Sequence, residues 1–234
     1  MSVRGKLRFG LIGGAAVAAL VGVTPMPVAV AAPAASPYAV ETFQGRTFIP
    51  AANNIAPRGG DDFTVRLATG LSGARKMPFR VRPYGEARSA MHVSSNGNIQ
   101  FPGAATSPNV AYNNSCLPTR MPSPFLAPYW DDLEFDRSAT PREGIYTQTV
   151  GTAPNRKFIV NWRGHLYGQP AAGTRFGVIF YEGQSKVSFQ YQDNTAASAT
   201  IGTQHRPTST STQWACNSGG RSVETGLRLD FVAR

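Results

Sequence analysis

The stretch Arg175-Phe176-Gly177-Val178-Ile179-Phe180-Tyr181-Glu182-Gly183-Gln184-Ser185-Lys186-Val187-Ser188-Phe189-Gln190-Tyr191-Gln192 decides the fold class. Phe176, Val178 and Phe180 alternate with Gly177, Ile179 and Tyr181. After a break, Val187, Phe189 and Tyr191 alternate with Lys186, Ser188, Gln190 and Gln192. A period of two in aromatic and β-branched residues sets one apolar face against a core, which is the pattern of a strand and not of a helix. Glu182-Gly183-Gln184-Ser185 supplies the turn, so residues 175–192 are predicted to form a β-hairpin.

The same reading extends outward. Phe158, Val160 and Trp162 alternate with Lys157, Ile159 and Asn161. Asn96-Gly97-Asn98 separates Met91-His92-Val93 from Ile99-Gln100-Phe101, and Asn-Gly supplies the positive φ angles a tight hairpin needs. Further strands are predicted at 63–67, 79–83, 145–150, 199–203 and 227–232, and a polar loop at Thr208–Thr212. Gly and Pro recur so often that no amphipathic helix of ordinary length fits. The expectation is an all-β fold: an antiparallel, jelly-roll-like β-sandwich forming a single domain over 43–234, preceded by a flexible stub at 32–42.

The N-terminus reads as a targeting segment. Arg4, Lys6 and Arg8 precede the uncharged run Phe9–Val23, Pro25 and Pro27 end it, and Ala29-Val30-Ala31 offers the small residues of a cleavage site. A signal peptide is expected at 1–31, with cleavage after Ala31. The run is shorter than the roughly 20 residues that span a bilayer, and no Cys near the cut offers a lipid anchor. The expected product is secreted and extracellular, with no membrane anchor. The chain holds 23 Lys and Arg against 13 Asp and Glu; without the three leader cations, 20 against 13 leaves +7. Cys116 and Cys216 are the only cysteines. In an exported chain they predict a disulfide, closing a loop of about 100 residues worth about 4–5 kcal/mol of chain entropy. Two buried free thiols are the alternative.

The stretch PYWDDLEFD, Pro128–Asp136, gathers Asp131, Asp132, Glu134 and Asp136 within six residues. Four carboxylates make it a candidate calcium site, since calcium takes six to eight oxygens. The interior lacks the Gly and the acid spacing of a calcium loop. On a strand, Asp132, Glu134 and Asp136 would share a face with Trp130 alongside. The plainer reading has Trp130 and Leu133 anchoring a strand end while the acids cap turns or pair with arginines. A glycosidase needs two facing carboxylates, and sequence neighbours such as Asp131 and Asp132 point to opposite sides of a strand. His92, His165 and His205 stand in no metal spacing, Ser218-Gly219-Gly220 is too weak to mark a nucleophile, and no nucleotide motif occurs, so no catalytic residue and no cofactor other than calcium is expected. The most basic stretch, 75–82, would place Lys76, Arg80 and Arg82 on one strand face with Arg88 following, a candidate polyanion-binding stripe or a solvated face. The exposed aromatics that stack bases are not evident there, and no nucleic-acid partner is expected.

An ordered set of motifs carries a family resemblance. Met77–Gly85 is similar to LPFxFxFYG, Val93–Phe101 to VSSNGxLxF and Ala127–Leu133 to APFWDDL. Gly144-Ile145-Tyr146, Ala153–Trp162 (APNRKFIVNW), Phe176–Gly183 (FGVIFYEG), Ser198–Gly202 (SATIG) and Gln213–Asn217 (QWACN) follow in order. The series resembles a β-rich extracellular module of bacterial exported proteins, itself distantly similar to NIDO domains of animal matrix and mucin-like proteins. The resemblance spans about Phe43 to Phe231. It implies a non-catalytic interaction module for an extracellular ligand, such as a glycan, wall polymer or protein, and a structural role for Asp131 and Asp132. The alternative is an exported hydrolase, glycan-directed or metal-assisted, using the acids of 131–136.

Overall fold

The computed structural model describes residues 38–104, 106–194, 198–207, 210–217, 221 and 223–233. The expected leader, its cleavage point, residues 32–37 of the stub and Ser218-Gly219-Gly220 lie outside them. Two antiparallel sheets pack as a sandwich. The larger holds β1 (Tyr38–Phe43), β2 (Asn53–Asn54), β7 (Leu133–Glu134), β8 (Gly144–Val150), β9 (Lys157–Leu166), β10 (Gln169–Tyr181), β11 (Val187–Asn194) and β14 (Arg228–Ala233). Its order is β1-β14-β11-β10-β9-β8-β2, with β7 beside β9. The smaller holds β3 (Thr64–Ala68), β4 (Ala90–Ser94), β5 (Asn98–Gln100), β6 (Phe125–Trp130), β12 (Thr200–Gln204) and β13 (Ser211–Ala215), in the order β13-β12-β6-β5-β4-β3.

Alternation in the sequence becomes the core. Phe158, Val160, Trp162, Phe176, Val178, Phe180, Val187, Phe189 and Tyr191 are all buried on the inner face of the larger sheet. They meet Val65, Leu67, Met91, Val93, Ile99, Leu126 and Tyr129 of the smaller. Phe176 stacks between Trp162 and Tyr129, at ring distances of 5.2 and 5.0 Å. Two buried donors stitch the layers: Trp162 Nε1 to the Ser94 carbonyl at 2.8 Å and Tyr191 Oη to the Pro128 carbonyl at 2.7 Å.

Each sheet's outer face is covered by an irregular strap, and buried amide side chains hold both straps. A Gln or Asn amide offers a donor and an acceptor as a peptide does, so it can satisfy backbone that lacks a strand partner. On the larger sheet, Gln190 Oε1 accepts from Ile49 N at 2.9 Å, while Gln190 Nε2 and Asn161 Nδ2 donate to the Ile49 carbonyl at 2.8 and 3.0 Å. Gly177 lies between those two side chains; a Cβ there would stand 1.9 Å from Asn161 Oδ1. On the smaller sheet, Gln100 exchanges two bonds with Asn109, at 2.5 and 2.7 Å, and Gln204 two with Thr119, at 2.5 and 2.9 Å. Beneath that strap Met121, Phe125, Ala127 and Trp130 form a second apolar cluster. The Cys116–Cys216 disulfide, with Cα atoms 5.3 Å apart, ties the strap to the end of β13.

The structure corrects several expectations. Tyr38–Thr42, expected within the flexible stub 32–42, form most of β1 and pair with β14, with Tyr38 buried against Tyr84 and Phe231. Residues 79–83 are not a strand: Phe79 lies in a bend, Pro83 opens a 3-10 turn at Pro83–Gly85, only Val81 makes an isolated bridge, to Arg88, and Pro78 and Pro83 cannot donate to a ladder. Ser211 and Thr212, expected in a loop, begin β13; Thr208 of that loop lies outside the described residues. The Asn-Gly turn is a three-residue loop, Ser95 to Gly97, with Gly97 at φ 66°. Its Cβ would stand 1.9 Å from the Tyr129 carbonyl oxygen. The antiparallel β-sandwich is as expected, and within it β3 to β6 and β8 to β11 pair in chain order in their own sheets. Among the described residues, no helix is long and apolar enough to cross a membrane.

Candidate functional site

PYWDDLEFD does not form one strand. Phe125–Trp130 belongs to the smaller sheet and Leu133–Glu134 to the larger, so Asp131 and Asp132 are the step between layers. Trp130 packs against Phe125 beneath the strap and donates Nε1–H to the Ala111 carbonyl at 2.9 Å, while Leu133 enters the main core. The face expected to join Trp130 to Asp132, Glu134 and Asp136 therefore does not form, because the chain changes sheets after Trp130. Asn96 fixes the step: its Oδ1 accepts from Leu133 N at 3.0 Å and its Nδ2 donates to Asp62 and to the Val110 carbonyl, both at 2.9 Å. The Ser-Asn-Gly and Trp-Asp-Asp-Leu stretches are thus one structural unit.

The four acids take separate partners. Asp131 is buried, and its Oδ1 accepts from Asp132 N at 2.9 Å while Oδ2 accepts from Ser198 Oγ at 2.5 Å. Glu134 lies 3.6 Å from His165 Nε2 and accepts from Gly168 N at 3.4 Å. Asp136 caps its own turn through Ser138 N and Oγ, at 2.8 and 2.6 Å. Asp132 is half-buried. Burial pushes the Asp131 carboxyl above the usual range, partly offset by Ser198 and the Asp132 N–H. Burial also raises Asp132, with Asp62, Asp61, Asp131 and Glu134 adding repulsion. Among the described residues, no group of three or more His, Cys, Asp or Glu side chains is placed to hold a metal ion, and the candidate calcium set Asp131, Asp132, Glu134 and Asp136 is not gathered into one.

What the crossover does gather is a cleft of about 190 Å³ lined by Asp131, Asp132, Leu166, Tyr167, Gln169 and Ser198. Tyr167 sits in the β9–β10 turn, 54% exposed, and its N–H donates to the Asp132 carbonyl at 3.0 Å, seating the turn on the crossover. Val110 and Tyr112, the other large apolar side chains exposed among the described residues, lie on the strap segment that Asn96 and Trp130 hold. Sequence reading found Asp131 and Asp132 but missed Tyr167, Gln169 and Ser198, along with Asp61 and Asp62. An aromatic beside Gly168 in a turn was the available signal for Tyr167.

The basic stripe is partly realised. Met77, Phe79, Val81 and Pro83 point inward while Lys76, Arg80 and Arg82 are exposed. Arg88 is half-buried and ion-paired with Glu86, whose other oxygen meets His205 Nε2 at 3.0 Å. Arg88 therefore does not extend the row.

Searches of the curated proteins and of the solved structures returned no match. The family model described as "NIDO related" matches residues 37–226, a span that begins beside β1 and runs nearly to β14. It covers every stretch that makes the crossover and both amide clasps, and the chain belongs to this NIDO-related family.

Proposed function

We propose that this chain is a secreted, non-catalytic binding module whose crossover cleft takes a hydroxyl-rich extracellular ligand, a glycan or wall polysaccharide. One observation carries the reading: exposed Tyr167 and half-buried Asp132 share a cleft on backbone fixed by Asn96 and by the Tyr167 N–H. An aromatic face packs on the apolar face of a sugar ring, and a carboxylate and an amide such as Gln169 bond its hydroxyls. Asp132 also stands among like charges that cost stability, and residues kept at such a cost are commonly found at binding sites.

The raised carboxyls of Asp131 and Asp132 also favour, as the second reading, a glycan hydrolase. Against it, both Asp131 oxygens are engaged in fixing the crossover, which leaves Asp132 without a facing acid partner in the cleft. A glycan and wall-polymer array on the secreted protein tests the proposal. Binding should appear with wild type and fade with Tyr167→Ala and Asp132→Asn. Release of new reducing ends from a bound glycan would replace the reading with the hydrolase, and an array left blank by folded protein would overturn it.

A further inference from the structure

A second cleft lies on the outer face of the same β9–β10 hairpin. It holds about 250 Å³, and Thr140, Pro141, Glu143, Arg163, Arg175 and Asp193 are among the residues that line it. Arg163 and Arg175 are direct register partners across β9 and β10. Like charges so placed repel, which disfavours the pair unless an anion joins them. Each guanidinium is set over a ring: Arg163 Cζ is 5.8 Å from the Tyr146 centroid and Arg175 Cζ 5.3 Å from that of Phe48. Stacking of this kind holds the planar fork still.

The acids that line the cleft are Glu143 and Asp193. Glu143 Oε2 already meets His165 Nδ1 at 2.8 Å and accepts from Asp136 N at 2.6 Å. Asp193 is the register partner of Arg175 and attracts it. Among the described residues, Arg163 has no acid in ion-pair contact. Burial, with Arg163 adding repulsion, holds Arg175 below the usual arginine range.

We propose that this cleft takes the carboxylate of an acidic saccharide, with Arg163 and Arg175 donating to its oxygens and Asp193 accepting from a neighbouring hydroxyl. The proposal rests on the glycan reading above and extends it to uronic-acid polymers. Arg–carboxylate pairs form paired, parallel bonds of the strong charge-assisted kind.

Calorimetric titration with tri-galacturonate and with neutral maltotriose tests it, on wild type, Arg163→Gln and an Arg80→Gln/Arg82→Gln control. Tri-galacturonate should bind more tightly than maltotriose, weaken with added salt, and lose about tenfold or more in Arg163→Gln, the worth of one charge-assisted pair. The control should bind as wild type does. If Arg163→Gln fails to fold, Arg163→Lys keeps the charge but not the fork, and weaker binding is expected of it. Unchanged affinity in the folded Arg163 variant, equal loss in the control, or equal affinity for maltotriose would each overturn the proposal. Array glycans held through Tyr167 while tri-galacturonate is ignored would sink only the arginine site; if no saccharide binds, both readings fall.

Discussion

Replacing Gln204 with Leu isolates what an amide clasp is worth. Gln204 is fully buried in β12, its Oε1 accepts from Thr119 N at 2.5 Å, and its Nε2 donates to the Thr119 carbonyl at 2.9 Å and to Ser123 Oγ at 3.0 Å. Leu has similar bulk and no polar atom, so Thr119 loses both backbone partners at once. A buried group left unpaired costs about 1–3 kcal/mol. Thr119 retains 9% exposure, so water can recover part of this. The apolar gain of Leu offsets about 1 kcal/mol more. The expected loss is about 2–3 kcal/mol. Urea unfolding of the oxidised protein should show a lower midpoint at unchanged slope, with faster hydrogen exchange at the Thr119 amide. Gln213→Leu is the control: its Oε1 accepts from Leu117 N at 2.7 Å, but the side chain is exposed, and a loss below about 1 kcal/mol is expected. A Gln204→Leu loss under about 0.5 kcal/mol with Thr119 still protected would refute the clasp argument.

On the other sheet, Gly177→Ala would drive a Cβ into Asn161 Oδ1, 1.9 Å away, and toward the Val160 carbonyl, 2.8 Å away. A loss of about 2–4 kcal/mol in chemical denaturation is expected, and a neutral result would mean the clasp has room to spare. Removing the disulfide with Cys116→Ser/Cys216→Ser should cost about 4–5 kcal/mol for a loop of this length, read from the shift in unfolding midpoint. Asp132→Asn should raise the melting temperature at pH 7. Its carboxyl is held above the unfolded value, so the native state binds the proton more tightly and stability falls as pH rises through that window. The advantage of Asn should vanish below about pH 3, where both folded and unfolded carboxyls are protonated. Equal melting temperatures at pH 7 would contradict the like-charge cluster.

The larger sheet was legible because its strands announce themselves twice, by period and by turn. β8 and β11 match the predicted runs, and β9 and β10 contain theirs and run on to the Tyr167 turn, because Phe158, Phe176, Phe189 and their neighbours alternate without interruption. The same rule overreached at 79–83. There burial alternates as in a strand, but prolines deny the hydrogen bonds, and period alone does not report a ladder. β6 reads poorly because Phe125–Trp130 is buried on both faces, under the core on one side and the strap on the other. The sheet change at Asp131 has no local signature; it depends on Asn96, 37 residues away, meeting Leu133 N. The cleft was half legible for the same reason: Asp131 and Asp132 stood out as a cluster, while Tyr167 and Ser198 join them only through the packing of the β9–β10 turn and the start of β12.

Mapping a captured oligosaccharide onto isotope-labelled protein by amide chemical-shift changes tests the binding claim most directly. An array-identified neutral glycan should perturb Asp131 to Leu133, Leu166 to Gln169 and Ser198, and leave Lys76, Arg80 and Arg82 unmoved. Shifts confined to the Lys76–Arg82 row, or spread over the surface with the crossover silent, would contradict it.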